Sequence, residues 1–366
     1  MDAEARPPRD PPCEASPELV DFLLSRGATP EQVAEAAARS QPIGLAADLV
    51  LNRGRELTGE EVARRAGTTA AQVLAIWRAL GVEVPGPDTV MFSVEDVAVV
   101  ETVISGIVFT ETQGDELLHV VGSALSRIAD AAISVYVATV EADLSAQGAD
   151  PVELARRGAL AAEKARQLGT DLGAVFVHFM RDGVVRQRLA QAEVSDRALH
   201  RLAVGFVDLV GFTPLSHRMG SRELGTFIGQ FENRAFRLAV EYGGRIVKHI
   251  GDEVMFVAVD PVAGCRLALA LMTEFEGDGI QPRGGLAYGD TVARQGDYYG
   301  EVVNLAARLA DLAIPGEVLA DDAVRRAAAG GPLVFEGAGR RQLKGFDEPV
   351  AAYSVRRADD PVASAR

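Results

Sequence analysis

Cysteine is nearly absent: the 366-residue chain has two, Cys13 in a proline-rich start and Cys265 in an apolar helical run. Two thiols so placed make neither a disulfide framework nor a metal knuckle, and they fit a reducing compartment. Positive charge is also short. Lys and Arg number 37 against 52 Asp and Glu, and the net charge of −15 speaks against bulk attraction to nucleic acid or to an anionic membrane surface. Long apolar runs are missing as well. The best candidate, Ala131–Val140, lies between Asp130 and Glu141 and falls short of the about 20 residues that a membrane helix needs. The opening MDAEARPPRDPPCEASP has no apolar centre that could serve as a signal peptide. A soluble, cytoplasmic protein is expected, with neither nucleic acid nor membrane as a partner.

What is present is an apolar fraction of 48% with 24% charged residues, the balance of a folded chain long enough for about two domains. Residues 1–15 read as a disordered tail, 16–183 as an all-α domain, 184–199 as a charged linker helix, 200–356 as a domain of strands alternating with helices, and 357–366 as a second tail. Ser16-Pro17 and Thr29-Pro30 are helix starts, a capping residue followed by proline at the first helical position. Residues 57–81 read as helix–turn–helix, with Thr58 and Glu61 as a capping box, Gly67 at the turn and Thr68 or Thr69 capping the second helix. That second helix offers Gln72 and Arg78 amid apolar residues, a poor reading face for DNA, so a packed helical module is the expectation.

In the second domain, Phe206-Val-Asp208-Leu-Val-Gly211-Phe212-Thr213 is an apolar strand that ends in an acid and turns through glycine into a helix. Such a turn leaves the backbone N–H groups of Gly211, Phe212 and Thr213 able to cradle phosphate, with Asp208 placed to hold a metal. Arg245 to Val257 reads as a β-hairpin with Asp252 at its tip. Two such aspartates converging on phosphate suit a two-Mg²⁺ site. Asn304 and Arg308 are four residues apart on a helix of small apolar residues, hence on one face.

These segments together, over residues 200–356, resemble the class III nucleotidyl cyclases, of the soluble actinobacterial type with a helical regulatory domain. The resemblance implies a ferredoxin-like α+β catalytic domain behind an all-α regulatory or dimerisation domain. It implies that Asp208 and Asp252 bind two Mg²⁺ or Mn²⁺ ions per site. Lys248 and Asp297 match the pair that reads adenine, a donor for N1 and an acceptor for the 6-amino group. Asn304 and Arg308 match the transition-state pair, and Arg283 and Lys344 the polyphosphate contacts. The substrate implied is ATP and the assembly a homodimer with two composite sites, because the two residue sets face each other across the family's interface. Glu253 and His249 read as neighbours only.

His119, His178 and, at the junction between the two halves, His200 are candidates for a pH response, and Val184–Leu202 is the segment expected to transmit it. The alternative is a DNA-binding regulator using 57–81, with a nucleotide-sensing but inactive cyclase-like domain.

Overall fold

The computed structural model describes residues 15–106, 111–192, 199–277 and 279–359. The chain divides into two compact units, Met1–His178 and Phe179–Arg366.

The first unit is helical. Helix α1 (Pro17–Ser25) starts where the Leu19 N–H donates to Ser16 Oγ, and α2 (Pro30–Ala38) starts with a capping box between Thr29 and Gln32. With α3 (Leu45–Leu51) they bury Leu19, Leu23 and Val50 against Ala155, Ala159 and Ala162. Helices α4 (Gly59–Ala66) and α5 (Ala70–Ala79) are the expected helix–turn–helix, with the Thr58–Glu61 box, left-handed Gly67 and a Thr69 cap. Its apolar residues pack with those of α6 (Val94–Ile104) around Phe92, whose ring centroid is 5.5 Å from that of Trp77. Gln72, one of the two candidate base-reading groups, accepts instead from Thr68 Oγ1. The packed-module expectation therefore accounts for this segment.

Helix α7 (Glu111–Tyr136) passes through one π-helical turn, Val137–Glu141, into α8 (Ala142–Ala146), and α9 runs from Pro151 to Gln191. The expectation that no stretch is long and apolar enough to cross a membrane needs correction. Gly114–Leu144 meets that test by length and composition. It does so through small and apolar residues spread around Arg127 and Asp130 rather than through an unbroken run.

The second unit is built on one eight-stranded sheet. Its elements are β1 (Leu199–Val210), α10 (Phe212–Ser216), α11 (Ser221–Glu241), β2 (Gly244–Ile250), β3 (Glu253–Ala258), α12 (Pro261–Phe275), β4 (Gln281–Arg294), β5 (Asp297–Tyr299), α13 (Glu301–Leu312), β6 (Val318–Asp321), α14 (Asp322–Ala327), β7 (Leu333–Arg341) and β8 (Val350–Arg357). The order is β2-β3-β1-β4-β6-β8-β7, with β5 on the end of β4. Only β4–β6 is parallel among these pairings.

Alternation along β1 explains the layers. Val207 and Leu209 join α11 and α12 in one core, while Leu202, Val204 and Phe206 join Ala306 and Ala310 of α13, and Ala190 of α9, in another. Cys265 is buried in α12 as a free thiol, pushed up to about 12 by burial and so inert.

The sheet also contains β5, β6 and β7, which sequence periodicity did not reveal. Of the expected linker, 184–199, α9 holds Val184 to Gln191 and Leu199 opens β1, with 193–198 outside the described residues. The expected tails lie outside them too, except Ala15 and the residues from Arg357 to Asp359.

Candidate active site

Strand β1 brings Asp208 to its far end, and the backbone then reverses at Gly211, where φ is +96°. A Cβ there would sit 2.4 Å from the carbonyl oxygen of Gly279, so this turn requires glycine on two counts. Helix α10 begins directly after it with Phe212 and Thr213, and Phe212 stacks on Phe227 at 5.3 Å. In the β2–β3 hairpin, Gly251 takes a left-handed conformation and Asp252 follows it. The Leu209 N–H donates to the Asp252 carbonyl at 3.2 Å, tying the hairpin tip to the end of β1. Asp208, Asp252, Gly211, Thr213 and Arg283 thereby line one cavity of about 460 Å³.

Sheet register decides what else faces these acids. Both Arg283 on β4 and Glu253 on β3 pair with Asp208, one from each side, on the sheet face that carries α13. Arg283 Nε donates to Asp208 Oδ2 at 2.9 Å, and its Nη1 donates to the Asp311 carbonyl at 2.8 Å. Burial pushes Asp252 upward, helped by the Asp208 charge. Glu253 rises to about 7, first through burial and then through Asp208 and Asp311. Glu253 and Asp311 are thus part of this electrostatic cluster. The sequence reading had Glu253 only as a neighbour and did not single out Asp311; the β1–β3 register supplies the missing signal.

A second group forms where β5 reaches β2. Lys248 Nζ donates directly to Asp297 Oδ2, while Asp297 Oδ1 accepts from the Tyr298 N–H at 2.8 Å. Asp297 is mostly buried and the Lys248 side chain is 41% exposed, so the pair faces an opening. Its neighbour His249 is packed edge-on against Phe231 at 5.4 Å, with both ring nitrogens unpartnered, and burial lowers its pKa.

The third group is on α13, where Asn304 and Arg308 are both exposed and Arg308 Nη1 donates to Asp311 Oδ2 at 3.0 Å. Lys344 is exposed between β7 and β8. None of Lys248, Asp297, Asn304, Arg308 and Lys344 lines the Asp208–Asp252 cavity. Within one chain the sequence-derived candidates do not all line one cavity, and Asp311 bridges Arg283 and Arg308.

The donor set of the cavity fits hard divalent cations. Asp208 and Asp252 supply carboxylate oxygens, and the Asp208 carboxylate held by Arg283 retains free lone pairs.

The profile of the family described as "Adenylate and Guanylate cyclase catalytic domain" matches residues 194–356. An uncharacterized protein of Mycobacterium tuberculosis is 32% identical, over 92% of this chain and 89% of its own. The adenylate cyclase of Glutamicibacter nicotianae is 32% identical over 85% and 80% of the two chains. A pH-sensitive adenylate cyclase of M. tuberculosis is 30% identical over 93% and 87%. Among solved structures, the adenylyl cyclase CyaB from P. aeruginosa superposes with a TM-score of 0.40 at 26% identity, over 43% of this chain and 94% of that one.

Proposed function

This chain belongs to the adenylate and guanylate cyclase family, and on that footing we propose that it converts ATP to 3′,5′-cyclic AMP and pyrophosphate. The observation that carries the choice of ATP is the Lys248–Asp297 pair. Adenine presents an acceptor at N1 beside a donor at its 6-amino group, which a lysine and a carboxylate satisfy together. Guanine reverses both, leaving two polar groups mismatched, at about 1–3 kcal/mol each once the bound base covers them.

In this reading, Asp208 and Asp252 hold two Mg²⁺ or Mn²⁺ ions. When bound, these supply acidity to the ribose 3′-hydroxyl and charge neutralisation to the departing pyrophosphate. The chain's own groups orient the reaction. Gly211, Phe212 and Thr213 offer backbone N–H groups to phosphate, and Arg283 and Lys344 hold the polyphosphate. Asn304 fixes the ribose, and Arg308 meets the charge that gathers on the α-phosphate as the 3′ oxygen bonds to it and pyrophosphate leaves. Because these groups do not all line one cavity within one chain, two copies related by a two-fold axis would complete two composite sites. The helical unit is proposed to regulate this assembly in the cytoplasm.

Cyclic nucleotide formation from ATP and from GTP, with Mg²⁺ or Mn²⁺, tests the reading. Cyclic AMP is the expected product, reduced by about 10²–10³-fold or more in Asp252→Ala. Preferential formation of cyclic GMP would overturn the substrate, and no product from either nucleotide would overturn the enzyme.

A further inference from the structure

At Gly285 and Gly289, helix α13 lies closer to β4 than a side chain would permit. A Cβ on Gly285 would meet the backbone nitrogen of Ala310 at 2.1 Å and the carbonyl oxygen of Ala306 at 2.4 Å. One on Gly289 would meet Val302 Cγ2 at 2.9 Å. Between these glycines, Ala287 is buried in the same cluster as Ala306 and Ala310.

The spacings explain the fit. Val302, Ala306 and Ala310 recur every four residues, about 6 Å of helix rise. Gly289, Ala287 and Gly285 recur every two residues, about 6.6 Å of strand. Small positions on the helix and on the strand therefore run in step along the whole contact. Asn304 and Arg308 follow Val302 and Ala306 by two residues, about 200° around the helix, on the side away from the strand. Their height above the sheet is set by how deeply α13 sinks onto β4.

We propose that Gly285 and Gly289 are positioning residues: the missing Cβ atoms at these two positions fix the depth of α13 and hence the placement of Asn304 and Arg308. This rests on the reading of that pair as transition-state groups. Lifting α13 moves them, whereas Lys248, Asp208 and Asp252 are carried by β2, β1 and the β2–β3 turn. The signature is a loss in kcat with little change in KM.

The test compares full-length wild type, Gly289→Ala and the double variant Gly289→Ala/Val302→Ala, read as kcat and KM for ATP on chains with matched unfolding midpoints. Gly289→Ala is expected to lose about tenfold in kcat with KM held within about threefold. Removing the Val302 γ-methyls clears the atom that the new methyl meets, so the double variant is expected to recover most of the rate. Gly285→Ala meets backbone atoms, so no recovery by Val302→Ala is expected there. An unchanged kcat in Gly289→Ala, a rise in KM alone, or no recovery in the double variant would overturn the inference. A wild type that turns over neither ATP nor GTP would instead overturn the cyclase reading, and the inference with it.

Discussion

Two residue-level features can be tested singly. At Gly211 both the positive φ and the Gly279 carbonyl at 2.4 Å oppose a side chain. Gly211→Ala is expected to cost about 2 kcal/mol or more, read from urea unfolding, with loss of cyclase activity. An unchanged unfolding midpoint would show that the turn can relax. At Asp297, removal of the carboxylate leaves Lys248 without its partner and, in the proposed reading, leaves the 6-amino group of adenine unmatched. Asp297→Ala is expected to lower kcat/KM for ATP by about 10–100-fold while narrowing the preference over GTP. Equal losses with both nucleotides would argue against base reading. The candidates themselves were legible in the sequence, because an acid at a strand end, a Gly-Asp turn and an Asn–Arg pair at helical spacing are local patterns. Asp311 was not, since its carbonyl meets Arg283 only in the folded chain.

Among the elements, the alternation of strands with helices was readable from periodicity, and the β2–β3 hairpin from its Gly-Asp turn. Strands β5, β6 and β7 were not. β5 has three residues and β6 four, too short for a pattern, and β7 is irregular in register between Gly337 and Gly339. Register was equally invisible, although it alone places Glu253 and Arg283 on either side of Asp208.

The end of β6 supplies a pH-dependent test. Buried Asp321 caps α14 by accepting from the Val324 N–H at 2.8 Å, yet burial raises its carboxyl from 3.8 to about 6. The folded state therefore binds this proton more tightly than the unfolded chain. The resulting stability is full below 3.8 and is lost as pH rises through about 6. The stability gap between wild type and Asp321→Ala is expected to shrink by about 2 kcal/mol from pH 4.5 to 7.5. A gap that widens over this range would contradict the burial account.

At the scale of the whole molecule, Asn304 and Arg308 do not line the acidic cavity of their own chain. Mixing two inactive full-length chains, Asp252→Ala and Arg308→Ala, is expected to restore activity, because a mixed dimer has one site free of either change. Silence of the mixture, with subunit exchange verified, would remove the composite-site assembly.

Asp311 gives that assembly a further property. Its carbonyl holds Arg283 and its carboxylate holds Arg308, so a single residue is bonded to groups that would serve opposite active centres. Nucleotide drawing on Arg283 in one centre would be felt by Arg308 in the other, and by linkage the reverse would hold equally. Saturation with ATP would then be cooperative, with a Hill coefficient away from one in the wild type and back toward one in Asp311→Ala.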